Sequence, residues 1–152
     1  MDQVPITRRR TLTGSALVAL AAILAPCMAL ADAEGVAAEL KKLYGDKKFA
    51  NGRIKLDIPE IAENGLVVPV NIDVESPMTA NDYVAAVHLF ADGNPVPTVV
   101  TYRFTPECGR ASASTRMRLA QTQNVICVAE MSTGALFSAK APVKVTIGGC
   151  GG

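Results

Sequence analysis

Apolar residues alternate with polar ones at a period of two along most of the chain, and this pattern limits the available folds more than any other. Ile54, Leu56 and Ile58, for example, alternate with charged residues. Successive side chains of a β-strand point to opposite faces of a sheet, so each such segment predicts a strand with a buried face. Seven strands are predicted, over residues 54–58, 68–74, 84–91, 99–105, 113–119, 125–131 and 139–147.

The segments between the predicted strands are rich in turn-forming residues, as at 63–65 and 92–95. Seven short strands at this spacing predict an antiparallel β-sandwich of immunoglobulin-like size. Residues 84–91 are apolar at both parities, which indicates either a core strand covered on both faces or a strand that contacts a partner. Residues 33–49 have apolar positions three and four apart and predict a short amphipathic helix before the sheets, which Gly45 is expected to interrupt.

The N-terminus has the layout of an export signal. Arg9 and Arg10, followed by Leu12, precede an apolar run at 16–25. A run of about ten residues is too short for a membrane span, which needs roughly 20. The segment Ala29-Leu30-Ala31, with small residues at its first and third positions, then offers a cleavage site. We expect the first 31 residues to be a signal of the twin-arginine type, and the mature protein to lie in the periplasm without a membrane span.

Composition excludes several classes of protein. There are 15 basic and 14 acidic residues, with a formal net charge of +1, so the chain lacks the basic character of a nucleic-acid-binding protein. His88 is the only histidine, which excludes a metal site with two histidine ligands. It is interpreted as a core or interface residue. The sequence therefore predicts no metal site and no nucleic-acid partner.

Three of the four cysteines follow the predicted signal. Cys127 lies on a predicted strand and Cys108 in a turn. The two could form a disulfide or stay separate, because sequence alone does not say whether their Cα atoms come within bonding reach. Cys150 follows the last strand and lies between two glycine pairs, Gly148-Gly149 and Gly151-Gly152. Because glycine restricts the backbone least, this segment predicts a flexible arm whose accessible thiol can enter another protein's active site.

The sequence resembles the SoxY family of sulfur carriers in the thiosulfate-oxidising Sox system. The most specific part of the resemblance is VKVTIGGCGG at 143–152, and 58–65, 76–80 and 116–120 are also similar. Together these segments extend over essentially the whole predicted mature chain. The resemblance implies a carrier rather than an enzyme, without a cofactor of its own, in which Cys150 is the covalent attachment point for sulfur intermediates.

The resemblance also implies partners. A SoxZ-like subunit would form a heterodimer with this chain. A haem enzyme of the SoxAX type would conjugate thiosulfate to Cys150, a SoxB-type hydrolase would release sulfate, and in some organisms a sulfane dehydrogenase would oxidise the remaining sulfur. The expected organisation is a signal over 1–31, a carrier domain over 32–147 and a sulfur-carrying arm over 148–152.

Two other function classes remain open on the residues alone. One is a structural or adhesive periplasmic β-sandwich crosslinked through Cys150, and the other is a thiol redox enzyme. A thiol enzyme holds its cysteine beside a base or a helix N-terminus, and a polyglycine segment supplies neither. A structural domain would tolerate serine in place of Cys150.

Overall fold

The computed structural model describes residues 33–147. The predicted export signal, with Arg9, Arg10 and Leu12, lies outside these residues, as does the predicted arm at 148–152 with Cys150. What the sequence predicts for these two segments stays a prediction.

The described residues form one α-helix, one short 3-10 helix and eight strands. All seven predicted strands are present, with ends that differ by a few residues, and one short strand was missed. In chain order the elements are α1 (Ala33–Tyr44), β1 (Ile54–Asp57), β2 (Ile61–Ala62), β3 (Val68–Val74), β4 (Val84–Ala91), β5 (Thr98–Arg103), the 3-10 helix Pro106–Cys108, β6 (Ala111–Met117), β7 (Gln123–Met131) and β8 (Leu136–Val145).

The helix ends at Tyr44, just before the glycine that the sequence predicts as an interruption, and it does not resume over the rest of the predicted span 33–49. Gly45 adopts a φ of 63°, a left-handed conformation that favours glycine. Its backbone N–H donates to the carbonyl of Lys41 at 2.8 Å. The glycine therefore closes the helix at Tyr44, and residues 45–49 lead away from it. No helix among the described residues combines the length and the hydropathy of a membrane span.

Two sheets pack face to face. One contains three strands in the order β1-β3-β6, and the other contains five in the order β2-β8-β7-β4-β5. The neighbouring strands are antiparallel except β2 and β8, which pair in parallel. The predicted β-sandwich is confirmed, with this one departure from an antiparallel arrangement.

The space between the sheets holds the main core. Strand β3 shows how the pattern builds it, since Val68, Val70, Ile72 and Val74 are buried while the residues between them reach solvent wholly or in part. Burying aliphatic side chains of this kind stabilises a fold by about 25 cal/mol per Å² of apolar surface. The alternation that predicts this strand therefore also specifies which of its faces is buried.

Strand β4 is covered on both faces. Leu89 lies in the core between the sheets, whereas Phe90 lies on the opposite face, where Val36 of the helix packs against it and Val128. Leu89, Phe90 and Val128 are all 0% exposed. The interpretation of this segment as a core strand is confirmed, and helix α1 supplies the cover that its second apolar face requires.

Candidate functional site

The last two described residues, Thr146 and Ile147, connect β8 to the predicted arm, and we call them the arm root. The backbone N–H of Thr146 donates to the carbonyl of Ala62 at 3.1 Å, and its hydroxyl donates to the carbonyl of Glu63 at 2.8 Å. The N–H of Gly65 donates to the carbonyl of Ile147 at 2.8 Å. Strand β2 and the loop after it therefore hold the arm root in place as far as Ile147.

Further hydrogen bonds fix the chain just before the arm root. The N–H of Val145 donates to the hydroxyl oxygen of Thr122 at 3.0 Å. Gly65 is held in turn, because its carbonyl accepts from the N–H of Leu119 at 2.8 Å. Cys150 lies three residues beyond Ile147, and three extended residues span about 10 Å. The predicted arm thus begins at an anchored residue of the sandwich, Ile147.

Charged side chains surround this end of β8. Glu60, Glu63 and Lys144 are exposed. Glu60, Lys144 and the neighbouring Ile61 belong to the lining of a shallow groove of about 400 Å³ beside β2 and β8. Among residues 33–147, no group of three or more histidine, cysteine, aspartate or glutamate side chains could hold a metal ion.

Cys108 and Cys127 are separate free thiols, so the disulfide that the sequence left open is not formed in this structure. Cys127 is 0% exposed on β7, where it belongs to the core between the sheets. Cys108 is exposed at the end of the 3-10 helix that links β5 to β6. Burial raises the pKa of the Cys127 thiol to about 12. This thiol is therefore protonated at neutral pH, and it packs as a small apolar side chain.

His88 is a core residue with a hydrogen-bonding partner, as one of its two sequence interpretations proposed. It is 7% exposed, and its Nδ1 lies 2.9 Å from the hydroxyl oxygen of Thr101. Its ring stacks on Phe90, with centroids 6.1 Å apart, and meets the edge of Tyr44 at 5.9 Å. The tyrosine hydroxyl donates to Glu130 at 3.2 Å. His88 thus helps to join helix α1 to the five-stranded sheet.

Burial lowers the pKa of His88 below its ordinary value of 6.5, and Arg103 lowers it further against an opposing effect of Glu130. The unfolded chain therefore takes up this proton at a higher pH than the folded protein does. We expect the free energy of unfolding to fall as the pH drops below about 6.5, because protonation then favours the unfolded state. Urea unfolding between about pH 7 and about pH 5 measures this slope. A His88→Gln variant should lose that part of the slope, and an unchanged slope would contradict the assignment.

Strand β2 is not predicted from the sequence, and neither are the contacts that hold the arm root. The available signal is the apolar pair Ile61-Ala62 between Pro59 and Glu63. Two residues are too few to display an alternation, which needs about four. The pairing of this strand with Lys144 and Val145 of β8 becomes visible only in the folded chain.

Comparison with known proteins places this architecture in a class. A family model described as sulfur oxidation protein SoxY matches residues 40–150, which include nearly all of the described sandwich and end at Cys150. The solved structure of the sulfur carrier protein SoxY from Chlorobium limicola f thiosulfatophilum is similar with a TM-score of 0.64 and 30% identity. The match covers 76% of this chain and 100% of that one.

The sandwich is thus that of a sulfur carrier in sulfur oxidation. The chain belongs to the SoxY family. The family resemblance that the sequence suggested is confirmed.

Other solved structures share the fold alone. A superoxide reductase (neelaredoxin) from Ignicoccus hospitalis is similar with a TM-score of 0.55 and 17% identity, over 62% of this chain and 80% of that one. A putative superoxide reductase from Thermotoga maritima is similar with a TM-score of 0.54 and 17% identity, over 64% of this chain and 93% of that one. No curated protein sequence matches this chain.

Proposed function

We propose that this protein is a periplasmic carrier that binds thiosulfate-derived sulfur covalently on Cys150 and presents it to partner enzymes for oxidation to sulfate. The observation that carries the proposal is the family match, which runs through the sandwich and ends at Cys150. The hydrogen-bonded arm root supports it, because it anchors the chain three residues before that thiol.

The other two cysteines are poorer candidates for the carrying thiol. Cys127 is fully buried, and its raised pKa keeps it protonated, whereas sulfur exchange requires an accessible thiolate. Cys108 is exposed, but it lies in a short helix between two strands rather than between two pairs of glycines. Cys108 is therefore the thiol that an experiment must distinguish from Cys150.

The proposed chemistry has two steps, the loading of thiosulfate on Cys150 and the release of sulfate. Loading joins the Cys150 thiolate to the outer sulfur of thiosulfate, and the two electrons released pass to a haem enzyme of the SoxAX type. Release hydrolyses the bond between the sulfone and the neighbouring sulfur, so that water supplies one oxygen of sulfate, two protons leave and a persulfide remains on Cys150. A SoxB-type hydrolase would carry out this step. The carrier contributes the thiol and its position, and the partners contribute catalysis.

We further propose a heterodimer with a SoxZ-like subunit and, in some organisms, a sulfane dehydrogenase that oxidises the persulfide sulfur. The support for these partners is the family to which the chain belongs. The support for the periplasm is the signal-like sequence at 1–31, with its paired arginines.

Peptide mapping tests the assignment of Cys150. Trypsin cleaves after lysine and arginine, so the three cysteines fall in three different peptides, 104–110, 119–140 and 145–152. After incubation with thiosulfate and the haem enzyme, we expect the added mass of S2O3 on peptide 145–152 alone. An addition on peptide 104–110 that accounts for the loaded protein would overturn the proposal, and omission of thiosulfate provides the blank.

A further inference from the structure

Exposed aliphatic side chains gather around the arm root. Of the six large hydrophobic residues that are exposed among the described residues, four lie either in the segment 61–67 or at the arm root. We call these four the root collar: Ile61 at 59% exposed, Leu66 at 43%, Val67 at 58% and Ile147 at 68%. Single exposed aliphatic residues are ordinary on a protein surface, but a concentration at one place marks an interaction site.

The fold holds the collar outward. The side-chain oxygen of Asn64 accepts from the N–H of Leu66 at 2.9 Å, which fixes the turn. The next residue after the collar, Val68, is 0% exposed and fills the core at the start of β3. Leu66 and Val67 therefore cannot move inward without displacing a buried side chain, and their exposure is built into the structure.

Because the predicted arm is short, an enzyme that receives Cys150 must come close to the arm root and its collar. Cys150 is three residues beyond Ile147, so its Cα lies within about 10 Å of that residue in any conformation of the chain. An enzyme that receives Cys150 in a recessed site must bring its own surface at least that close. A specific protein interface covers about 800 Å² on each partner, which corresponds to a radius of roughly 16 Å. Such a footprint, centred on the arm root, includes the collar.

We propose that the root collar is the docking surface for the enzymes that act on Cys150, and that its occupant is the apolar rim of an active-site entrance. The inference rests on the proposed function and adds the surface by which the carrier is recognised. Four aliphatic side chains form a small apolar contact, which suits an encounter that must end before the next enzyme can bind. The arm enters the active site, and the collar holds the two proteins together meanwhile.

The proposal is tested by steady-state kinetics in which the concentration of the loaded carrier complex, the substrate, is varied. The hydrolase that releases sulfate from the carried group is the probe. The variant Ile61→Thr/Val67→Thr keeps β-branched shapes at both positions but makes them polar. We expect its KM to rise about tenfold, as the loss of apolar burial predicts, with kcat at saturation within about twofold of the original.

A matched control comes from the other end of the sandwich. Leu43 is 48% exposed in the last turn of helix α1. The hydroxyl of the neighbouring Tyr44 donates a hydrogen bond to Glu130, and Glu130 pairs with Leu136 at the start of β8. Leu43 therefore lies near the start of β8, whereas the arm root follows the end of that strand. The ten residues of β8 separate these ends by about 30 Å. Leu43→Gln should leave both kcat and KM unchanged.

Three results would overturn the proposal, and one of them also bears on the proposed function. An unchanged KM in the double variant would exclude the collar as a docking surface. Dissociation of the variant from its partner subunit at the assay concentration would assign the collar to the subunit interface instead. A hydrolase that fails to act on the loaded original carrier would contradict the proposed function itself. Labelling of Cys150 by a small alkylating reagent should be equal in all variants, because that reaction needs no docking.

Discussion

Replacing Cys150 with serine is expected to abolish thiosulfate-dependent electron transfer and sulfate release, with a loss of at least about a hundredfold. A hydroxyl oxygen is not ionised near neutral pH and cannot form the sulfur–sulfur bond on which the carried intermediate depends. The measurement is electron transfer in a reconstituted system, combined with the intact mass of the carrier. The variant should show neither activity nor added mass.

Cys108→Ser is the matched control for that experiment. It makes the same chemical change at the one cysteine that is exposed among residues 33–147. Because Cys108 lies between β5 and β6 and has no proposed part in carriage, this variant should retain full activity and full loading. If Cys150→Ser kept its activity, or if Cys108→Ser lost it, the assignment of the carrying thiol would be wrong. Retained activity in Cys150→Ser would favour the structural alternative.

The second large effect concerns the contact between helix α1 and the five-stranded sheet. Phe90→Ala should lower the free energy of unfolding by about 3–5 kcal/mol, because a fully buried aromatic ring is lost and a cavity remains. The ring of Phe90 packs with Val36 and Val128 and stacks on His88. For a domain of this size the expected fall in Tm is roughly 10–20 °C. Thermal and urea unfolding measure both quantities.

Leu43→Ala separates the effect of packing from the effect of shortening a side chain on the same helix. Leu43 is about half exposed, so its removal should change the free energy of unfolding by less than about 0.5 kcal/mol. Below its own Tm, the Phe90→Ala variant should still be loaded at Cys150, because the proposed chemistry lies beyond the last strand. A small change in stability for Phe90→Ala would mean that the helix does not seal this face of the sheet.

Local patterns were sufficient to predict most of the elements. In β3 the buried residues fall on every second position, so a window of seven residues contains the whole signal. The helix was predicted from its apolar spacing and its interruption from Gly45, whose left-handed conformation ends it. The glycine pairs around Cys150 are likewise a local feature, which is why the site hypothesis could be formed without a fold.

The elements that the sequence left open all depend on contacts between distant segments. Strand β2 exists because Ile61 and Ala62 meet the end of β8 more than 80 residues later in the chain. Whether β4 faces a partner or the core depends on a helix that begins some 50 residues earlier. Cys108 and Cys127 could be joined or separate on sequence alone, and the fold places one at the surface and the other inside.

The sequence by itself determined the β-sandwich class, the family and the cysteine on which the proposed chemistry depends, because each of these is carried by a short run of neighbouring residues. Only the tertiary structure decided what surrounds the arm root, from which the segment with that cysteine continues. The hydrogen bonds of Thr146 and Ile147 to β2 and to the loop after it anchor the arm root. The exposed aliphatic collar results from the same pairing, since it joins residues 61–67 to residue 147.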